Sequence, residues 1–190
     1  SFSKEFSANK ELVFDALKYA EKHNVLVVNS AGNNGVDIDK FQKYPNDISY
    51  EDLNKEICSN YINVGATTNN ANEKLVLNYS NYGKYNVDIF APGYSIYMAT
   101  DVNSYITDSG TSYSTPMVSG TAALIWLYYP KLTVQEVKQI ILESGTSYDI
   151  DVLVPGGEGK KVAFKELSKS GKVLNVYNAM KMAKEMSKNK

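Results

Sequence analysis

Several residue types on which functional sites often depend are scarce in this chain: its 190 residues include one cysteine, one histidine and one tryptophan. A single cysteine, Cys58, excludes an internal disulfide, and we interpret it as a small packing residue. The longest apolar run, near residues 117–129, is interrupted by Ser119, Gly120 and Thr121. It falls short of the roughly 20 residues that span a bilayer, so we expect no membrane segment.

The composition is that of a globular domain. Hydrophobic residues make up 43% of the chain, and the formal net charge is −1, with Lys and Glu interspersed along the sequence. A chain of this length can form one domain, which we place at 1–190. Because no basic stripe is present, nucleic acid is not an expected partner. The chain opens SFSKEF, with neither an initiator methionine nor an apolar signal segment, and this predicts an interior piece of a longer product.

Hydrophobic periodicity alternates between helix and strand, which predicts an α/β fold. Helices are expected over 9–23, from Gly110 onward, over 133–144 and over 175–188. The first helix carries its apolar residues at Leu12, Val13, Ala16, Leu17 and Ala20. Strands are expected at 25–28, 61–66, 75–80, 87–90, 95–99 and 104–107. The segment 149–172 is expected to form a hairpin around GGEG. The run at 25–28 is typical of a strand buried on both faces, and the turn SAGNNG at its carboxyl end lies where open α/β sheets place ligands.

The stretch SGTSYSTPMVSG at 109–120 predicts a hydroxyl group at the start of a helix. Gly110 permits a sharp turn, Thr111 and Ser112 are good N-cap residues, and Pro116 is tolerated in a first turn. The helix that follows is apolar nearly all round, which predicts burial on every side. At its start, backbone N–H groups and the helix dipole favour developing negative charge.

Four segments together resemble the subtilisin-like serine proteases, the subtilases of peptidase family S8. GTSYSTPMVSG at 110–120 is similar to their nucleophile segment, and VLVVNSAGNNG at 25–35 to the strand and loop that carry their oxyanion asparagine. VDIFAPG at 87–93 and GKVLNVYNAM at 171–180 are similar to two further family segments. The resemblance implies the carboxyl-terminal portion of a subtilisin-like three-layer αβα domain with a mostly parallel sheet, here without its N-terminal strands and with 149–172 as a hairpin insertion.

The resemblance implies that Ser112 is the nucleophile of an acyl-enzyme mechanism and that the Asn33 amide, with the Ser112 backbone N–H, holds the oxyanion. Plainer interpretations stay open, in which Ser112 is only an N-cap and Asn33 only a turn residue beside glycine.

A catalytic base is missing from this pattern. His23 precedes a strand whose far end leads to Asn33, roughly 20 Å away, so a role at a helix C-terminus explains it. In the family the order is Asp, His, Ser, so both missing residues are expected before Ser1. Asp88 and Asp108 have no motif support. We therefore predict that this chain alone is inactive.

The family pattern also implies a polypeptide substrate. Ser1, Phe2 and Ser3 would form one wall of the primary specificity pocket, and Ser30, Ala31 and Gly32 the other. The sequence departs from the pattern at Ser3 and Lys4, where glycines are common, at Tyr113, where methionine is usual, and at Met117, where histidine or a small aliphatic residue is usual. No cofactor is required, and calcium is possible without an identifiable site, because Asp37 with Asp39 and Asp149 with Asp151 read as solvated turn residues.

Two other functions are weighed against a protease. A non-catalytic subtilase-like module would bind peptide or serve a structural role while keeping the serine. An esterase of the α/β-hydrolase type predicts glycine two residues after the nucleophile, where Ser114 stands.

The strand over 25–30 should have an open edge, which the N-terminal portion or a second copy of the chain would cover. The resemblance to the subtilases also implies that the protein is secreted or located in the cell envelope.

Overall fold

A computed structural model describes residues 10–41, 43–49, 55–101 and 103–188. These residues form four α-helices, nine strands and a short 3₁₀-helix at Phe164–Glu166. The helices are α1 (Lys10–Lys22), α2 (Thr111–Tyr128), α3 (Val134–Ser144) and α4 (Val176–Ser187). The strands are β1 (Val27–Ser30), β2 (Tyr61–Thr67), β3 (Ile89–Pro92), β4 (Ile96–Ala99), β5 (Tyr105–Asp108), β6 (Thr146–Ser147), β7 (Asp151–Leu153), β8 (Lys161–Ala163) and β9 (Lys172–Val173).

The main sheet has the strand order β1-β2-β3-β9-β6. Its first four strands run parallel, and β6 is antiparallel. In the register, Ser30 lies beside Val64 and Val64 beside Ile89, so the carboxyl ends of β1, β2 and β3 meet at one edge. The predicted mostly parallel sheet is confirmed.

Helices and loops cover both faces of this sheet. On one face Ile62 and Val64 of β2 share a core with Val118 and Ile125 of α2, and α3 and α4 extend that core. On the other face Leu17 of α1 packs with Cys58 and Tyr61. Further along that face, Phe90 lies 5.5 Å from Phe164 between ring centroids. The three layers of an αβα fold are therefore present.

Local sequence signals explain the later helices. Thr133 forms a capping box with Glu136 at the start of α3, and the Asn175 side chain accepts a hydrogen bond from the Asn178 N–H at the start of α4. These side chains satisfy N–H groups that a helix leaves unpaired at its start. The strands β7 and β8 form the predicted hairpin around GGEG.

Two strand predictions are wrong in detail. Residues 75–80 form no strand, although Leu75, Val76 and Leu77 are buried as a strand would require. The Asn72 carbonyl accepts from the Leu75 N–H, so the chain turns here, and the three apolar side chains fill the core without a ladder. The first strand begins at Val27 and not at Val25. The Val25 N–H donates to the Ala20 carbonyl of α1, so this residue belongs to the turn that ends the helix.

The surface of α2 differs most from its prediction. The helix is buried on the side that faces the sheet, but Leu127 is 74% exposed and Met117 38% exposed, and Gly120 faces open space. Helix α2 is apolar on all sides but is not buried on all sides, because no described residue packs against the side that carries Met117, Gly120 and Leu127. Pro116 is also the sixth residue of the helix, outside the first turn, so it leaves the Ser112 carbonyl without its helical N–H partner.

Strand β1 and helix α1 are also incompletely covered. All of β1 is half-buried: Val28 packs on the core shared with α2, and Val27 packs on the cluster of Leu17 and Tyr61 on the other face. Both faces are therefore in contact with the protein, as expected, and the exposure comes from the edge, because β2 is the one neighbour of β1 among the described residues. In α1, Phe14 and Leu17 are buried while Leu12 is 66% exposed, so only part of the predicted apolar stripe packs. Asn9, where this helix was expected to begin, lies outside the described residues.

Candidate active site

The turn after β1 meets the start of α2 at the carboxyl edge of the sheet. Thr111 donates two hydrogen bonds to Asn33 Oδ1, one from its backbone N–H at 3.0 Å and one from its Oγ1 hydroxyl at 3.0 Å. The same hydroxyl accepts from the Gly32 N–H at 3.2 Å. The oxygen of the Asn33 amide is thus fully engaged, which fixes the amide plane and leaves the NH₂ group as its outward donor.

A second asparagine holds that turn in shape. Asn81 Oδ1 accepts from the backbone N–H groups of Asn34 and Val36, at 3.0 and 3.1 Å, and its Nδ2 donates to the Ala31 carbonyl at 2.8 Å. The side chain of Asn81 is completely buried, so these bonds are shielded from water. The backbone that carries Asn33 is therefore rigidly supported.

Two glycines allow the Ala-Pro-Gly turn and the helix start to touch. The Gly110 N–H donates to the Gly93 carbonyl at 2.7 Å, and Gly110 has φ of 150°, which disfavours any other residue. A Cβ atom at Gly93 would lie 2.2 Å from Ser114 Oγ, and one at Gly110 would lie 3.1 Å from Asn33 Nδ2. The donor group of Asn33 therefore lies directly beside the turn that leads into Ser112.

Ser112 is the second residue of α2, and its side chain is exposed at this edge. The N-cap position is Gly110, which has no side chain to cap the helix, so the interpretation of Ser112 as an N-cap is wrong. The Ser112 hydroxyl makes no hydrogen bond to any residue that the structure describes. Its backbone N–H belongs to the first turn, where N–H groups have no helical partner.

Tyr113 links the same helix turn to β5. Its hydroxyl donates to Asp108 Oδ2 at 2.6 Å, and Asp108 Oδ1 accepts from the Ser109 N–H at 2.7 Å. The bond from Tyr113 lowers the pKa of Asp108 and raises the pKa of Tyr113. A carboxylate with a lowered pKa is a poor proton acceptor, so Asp108 is a poor general base for Ser112.

His23 and Asp88 lie away from this edge. His23 follows α1 ahead of β1, and its ring lies 4.2 Å from that of Tyr19 between centroids. Asp88 immediately precedes β3 and accepts from the Asn63 N–H at 2.7 Å. Both residues are therefore at the amino ends of their strands, as expected for His23, while Ser112 and Asn33 are at the carboxyl ends.

Buried charges gather at those amino ends. Burial, together with the charges of Asp88 and Glu56, raises the pKa of Asp47 to about 7. Burial likewise raises the pKa of Asp88. Glu56 pairs with Lys138 at 3.6 Å and with Lys169. This end of the sheet therefore holds a charge cluster, which the sequence pattern did not predict.

The structure describes one of the two predicted walls of the primary specificity pocket. Ser30 is half-buried, and Ala31 and Gly32 are buried. Both carbonyls of the latter pair are engaged by Asn81, through its Nδ2 at Ala31 and its backbone N–H at Gly32. Ser1, Phe2 and Ser3 lie outside the described residues. Asn33, Ser112 and Ser30–Gly32 are thus brought to one edge.

Among the described residues no group of three or more His, Cys, Asp or Glu side chains is arranged to hold a metal ion. Asp39 is not a simple solvated turn residue, because its carboxylate accepts from the Tyr85 and Asn86 N–H groups while burial raises its pKa. Cys58 is buried, and burial raises its pKa to about 12, as suits a packing residue. None of the described helices has the length and apolarity needed to cross a membrane.

Residues 2–175 match the subtilase family, peptidase S8. The chain belongs to this family. It is 32% identical over 154 residues to the serine protease AprX of Bacillus subtilis (strain 168), which covers 69% of this chain and 32% of that protein. It is 42% identical over 87 residues to an extracellular serine proteinase of Thermus sp. (strain Rt41A), which covers 45% of this chain and 20% of that protein.

The fold is likewise that of subtilases of known structure. The solved structure of the subtilase cytotoxin SubAB matches with a TM-score of 0.73 and 26% identity, over 95% of this chain and 56% of that one. The subtilisin-like α/β fold is confirmed. This chain spans less than half the length of the two curated subtilase relatives above. Membership of the family therefore does not by itself establish the activity of the whole protein.

Two supporting residues were missed by sequence reasoning. Thr111 was interpreted as a cap, whereas its side chain orients Asn33. Asn81 lies in the stretch LNYSNYG, where an isolated asparagine carries no signal of a contact with a turn 50 residues earlier. The GTS triplet could have identified Thr111, because it lies next to the proposed nucleophile.

Proposed function

We propose that this chain is the nucleophile-bearing part of a serine endopeptidase. The observation that carries the proposal is the Asn33 amide, whose oxygen is engaged by Thr111 and whose NH₂ group lies beside the turn that leads into Ser112. An amide fixed in this way needs no reorganisation when charge develops on a substrate oxygen.

In the proposed reaction Ser112 Oγ attacks the carbonyl carbon of a peptide bond and gives its proton to a base. The Asn33 NH₂ group and the Ser112 N–H donate to the oxyanion of the tetrahedral intermediate. The C–N bond then breaks as the base returns the proton to the leaving amine, and water later hydrolyses the acyl-enzyme ester. Serine needs such a base because it is a weak nucleophile at its free pKa.

The base and its orienting carboxylate are proposed to come from polypeptide that precedes Ser1 in the parent protein. The exposed apolar side chains of α2, such as Met117 and Leu127, and the half-buried edge strand β1 support this, because both are surfaces that the described residues leave uncovered. Exposed apolar side chains beside an unpaired strand edge are a template for association. Pairing with the preceding portion, even after a cut near Ser1, needs no new interface and is favoured over a second copy of the chain.

Native mass spectrometry tests this partner. A purified sample is expected to contain this chain together with the preceding portion, either as one polypeptide or as two that separate on denaturation. A single 21.1 kDa species that stays monomeric at micromolar concentration would contradict the proposed covering of the edge.

The activity is tested in the complete protein with an unfolded polypeptide substrate. Ser112→Ala should abolish cleavage, because no other group would form the acyl-enzyme. Ser119→Ala is the matched control, since Ser119 is exposed on the same helix and bonds only the Thr115 carbonyl. Cleavage that persists in Ser112→Ala, or that is absent from the unaltered protein, would favour the non-catalytic peptide-binding module.

We also propose a secreted or cell-envelope location, supported by the extracellular Thermus relative. Fractionation of the source cells, with detection of the protein in the medium or envelope, would test it.

A further inference from the structure

A cavity of about 410 Å³ opens near the candidate active site. Three segments form it: the chain after β2, the residue after the Gly93 turn, and the end of β7 with the residues that follow. Its apolar lining consists of Val76, Leu77, Tyr94, Leu153, Val154 and Pro155. Asn70 and Lys74 add polar groups. Apolar walls with a few polar groups are typical of a ligand pocket.

The walls are joined by hydrogen bonds and so are formed in advance. The Leu153 N–H donates to the Glu73 carbonyl at 2.8 Å, and the Gly156 N–H donates to the Asn78 carbonyl at 3.2 Å. Val76 and Leu77 are anchored in the core, whereas Tyr94 is 46% exposed. A preformed pocket loses little entropy when it binds a side chain.

The cavity lies within reach of a substrate bound at Ser112. The residues on either side of Tyr94 are bonded to the turn before Ser112: Gly93 to Gly110 at 2.7 Å and Ser95 to Ser109 at 2.8 Å. Standard backbone dimensions then place the Tyr94 Cα no more than about 18 Å from the Ser112 Cα, a span of about five extended residues.

The strand order decides which side of the scissile bond faces the cavity. The turn before Ser112 is contacted by Asn33, which follows β1, and by Gly93, which follows β3. The proposed wall at Ser30–Gly32, for the residue before the scissile bond, is on the β1 side. The cavity is on the β2 and β3 side. Chain after the scissile bond therefore runs toward the cavity.

We propose that this cavity binds a large apolar side chain, such as leucine or phenylalanine, within the first five residues after the scissile bond of a polypeptide substrate. The proposal rests on the proposed endopeptidase function. It assigns a specificity role to Tyr94 and Val154.

The test uses the complete protein and a peptide set that varies each of the five residues after the cut, with products identified by mass spectrometry. Burial of a large apolar side chain should raise kcat/KM about tenfold over alanine at one of these positions. Tyr94→Ala, which opens the cavity, and Val154→Trp, which fills it, should each reduce that preference to less than about threefold. Tyr105→Ala is the matched control, because Tyr105 is also exposed but does not line the cavity.

A peptide anilide with no residue after the cut separates this proposal from the endopeptidase itself. All variants should cleave it at the rate of the unaltered protein. If all variants cleave the anilide, the endopeptidase proposal stands. The cavity assignment is then overturned by any of three results: no preference for a large apolar residue, a preference only at positions before the cut, or a preference that both cavity substitutions leave unchanged.

If neither the anilide nor any polypeptide is cleaved, the endopeptidase proposal fails, and binding decides the cavity separately. Calorimetry on the Ser112→Ala protein would compare a leucine-containing peptide with its alanine analogue, with and without Tyr94→Ala. A leucine advantage of about tenfold that Tyr94→Ala removes supports the cavity, and equal affinities overturn it.

Discussion

The two ends of the parallel sheet use polar groups in opposite ways. At the carboxyl end, amides and hydroxyls are joined by directional hydrogen bonds, as between Thr111 and Asn33, and Ser112 stays exposed. At the amino end the polar groups are charged and buried, as in Asp47, Asp88 and the Glu56–Lys138 pair. The first arrangement orients a donor, and the second makes stability depend on protonation. Substitutions at the carboxyl end should therefore change rates, and those at the amino end should change stability.

The largest effect after loss of Ser112 is expected at Asn33. Asn33→Leu in the complete protein should lower kcat far more than it raises KM, because its bond to the oxyanion strengthens only in the transition state. A fall of about 10²–10³ in kcat is the size measured in subtilisin, a member of this family, when the corresponding donor is removed. Asn34→Leu in the same turn is the control. Steady-state kinetics decide: a change confined to KM would return Asn33 to an ordinary turn role.

The amino end should respond to pH. The pKa of Asp47 is about 7 in the folded protein and 3.8 ordinarily. The folded state therefore binds the proton more tightly, and stability is expected to fall by a few kcal/mol as pH rises from about 4 to about 7. Asp47→Asn should remove most of this fall, and any remaining slope of the same sign belongs to Asp88 and Asp39, whose pKa values burial also raises.

Urea unfolding of the complete protein at several pH values measures this, with Ser112→Ala to prevent self-digestion. Asp149→Asn, at an exposed position, is the control. An unchanged pH slope in Asp47→Asn would show that Asp47 does not link stability to pH.

A smaller effect is expected at Thr111. Thr111→Val keeps the shape of the side chain but removes the hydroxyl that bonds Asn33 and Gly32. One hydrogen bond contributes about 1 kcal/mol, so kcat should fall roughly five- to tenfold with little change in KM. Thr115→Val, which loses only a bond to the Thr111 carbonyl, should leave kcat near its original value. Equal losses in the two variants would mean that Thr111 acts through the helix and not through Asn33.

The sequence predicted those features that local chemistry decides. The start of a helix at Thr133, the hairpin around GGEG and the parallel sheet all follow from short patterns. The meeting of Asn33 with the turn before Ser112 followed from the family motifs, because the strands that carry them end at one edge. Side chains that act across the fold, such as Asn81, leave no local signal.

Burial was predicted less well than element type. Apolar residues all round α2 show that the helix avoids water, but they do not show which polypeptide covers Met117 and Leu127. Residues 75–80 show the converse, since Leu75 and Leu77 are buried although this segment pairs with β2 only through the isolated bridge from Val76 to Thr67. Ser1–Ser3 and their proposed wall stay a prediction.

We propose that this chain carries the nucleophile and the oxyanion donor, and that the base for Ser112 comes from the preceding polypeptide. A fluorophosphonate probe, applied in parallel to the isolated 190 residues and to the complete protein, tests it most directly. The complete protein should be labelled rapidly and stoichiometrically at Ser112, with no labelling in Ser112→Ala, while the isolated chain should stay unlabelled on the same timescale. Rapid labelling of Ser112 in the isolated chain would show that a group within it activates the serine, and would contradict the account.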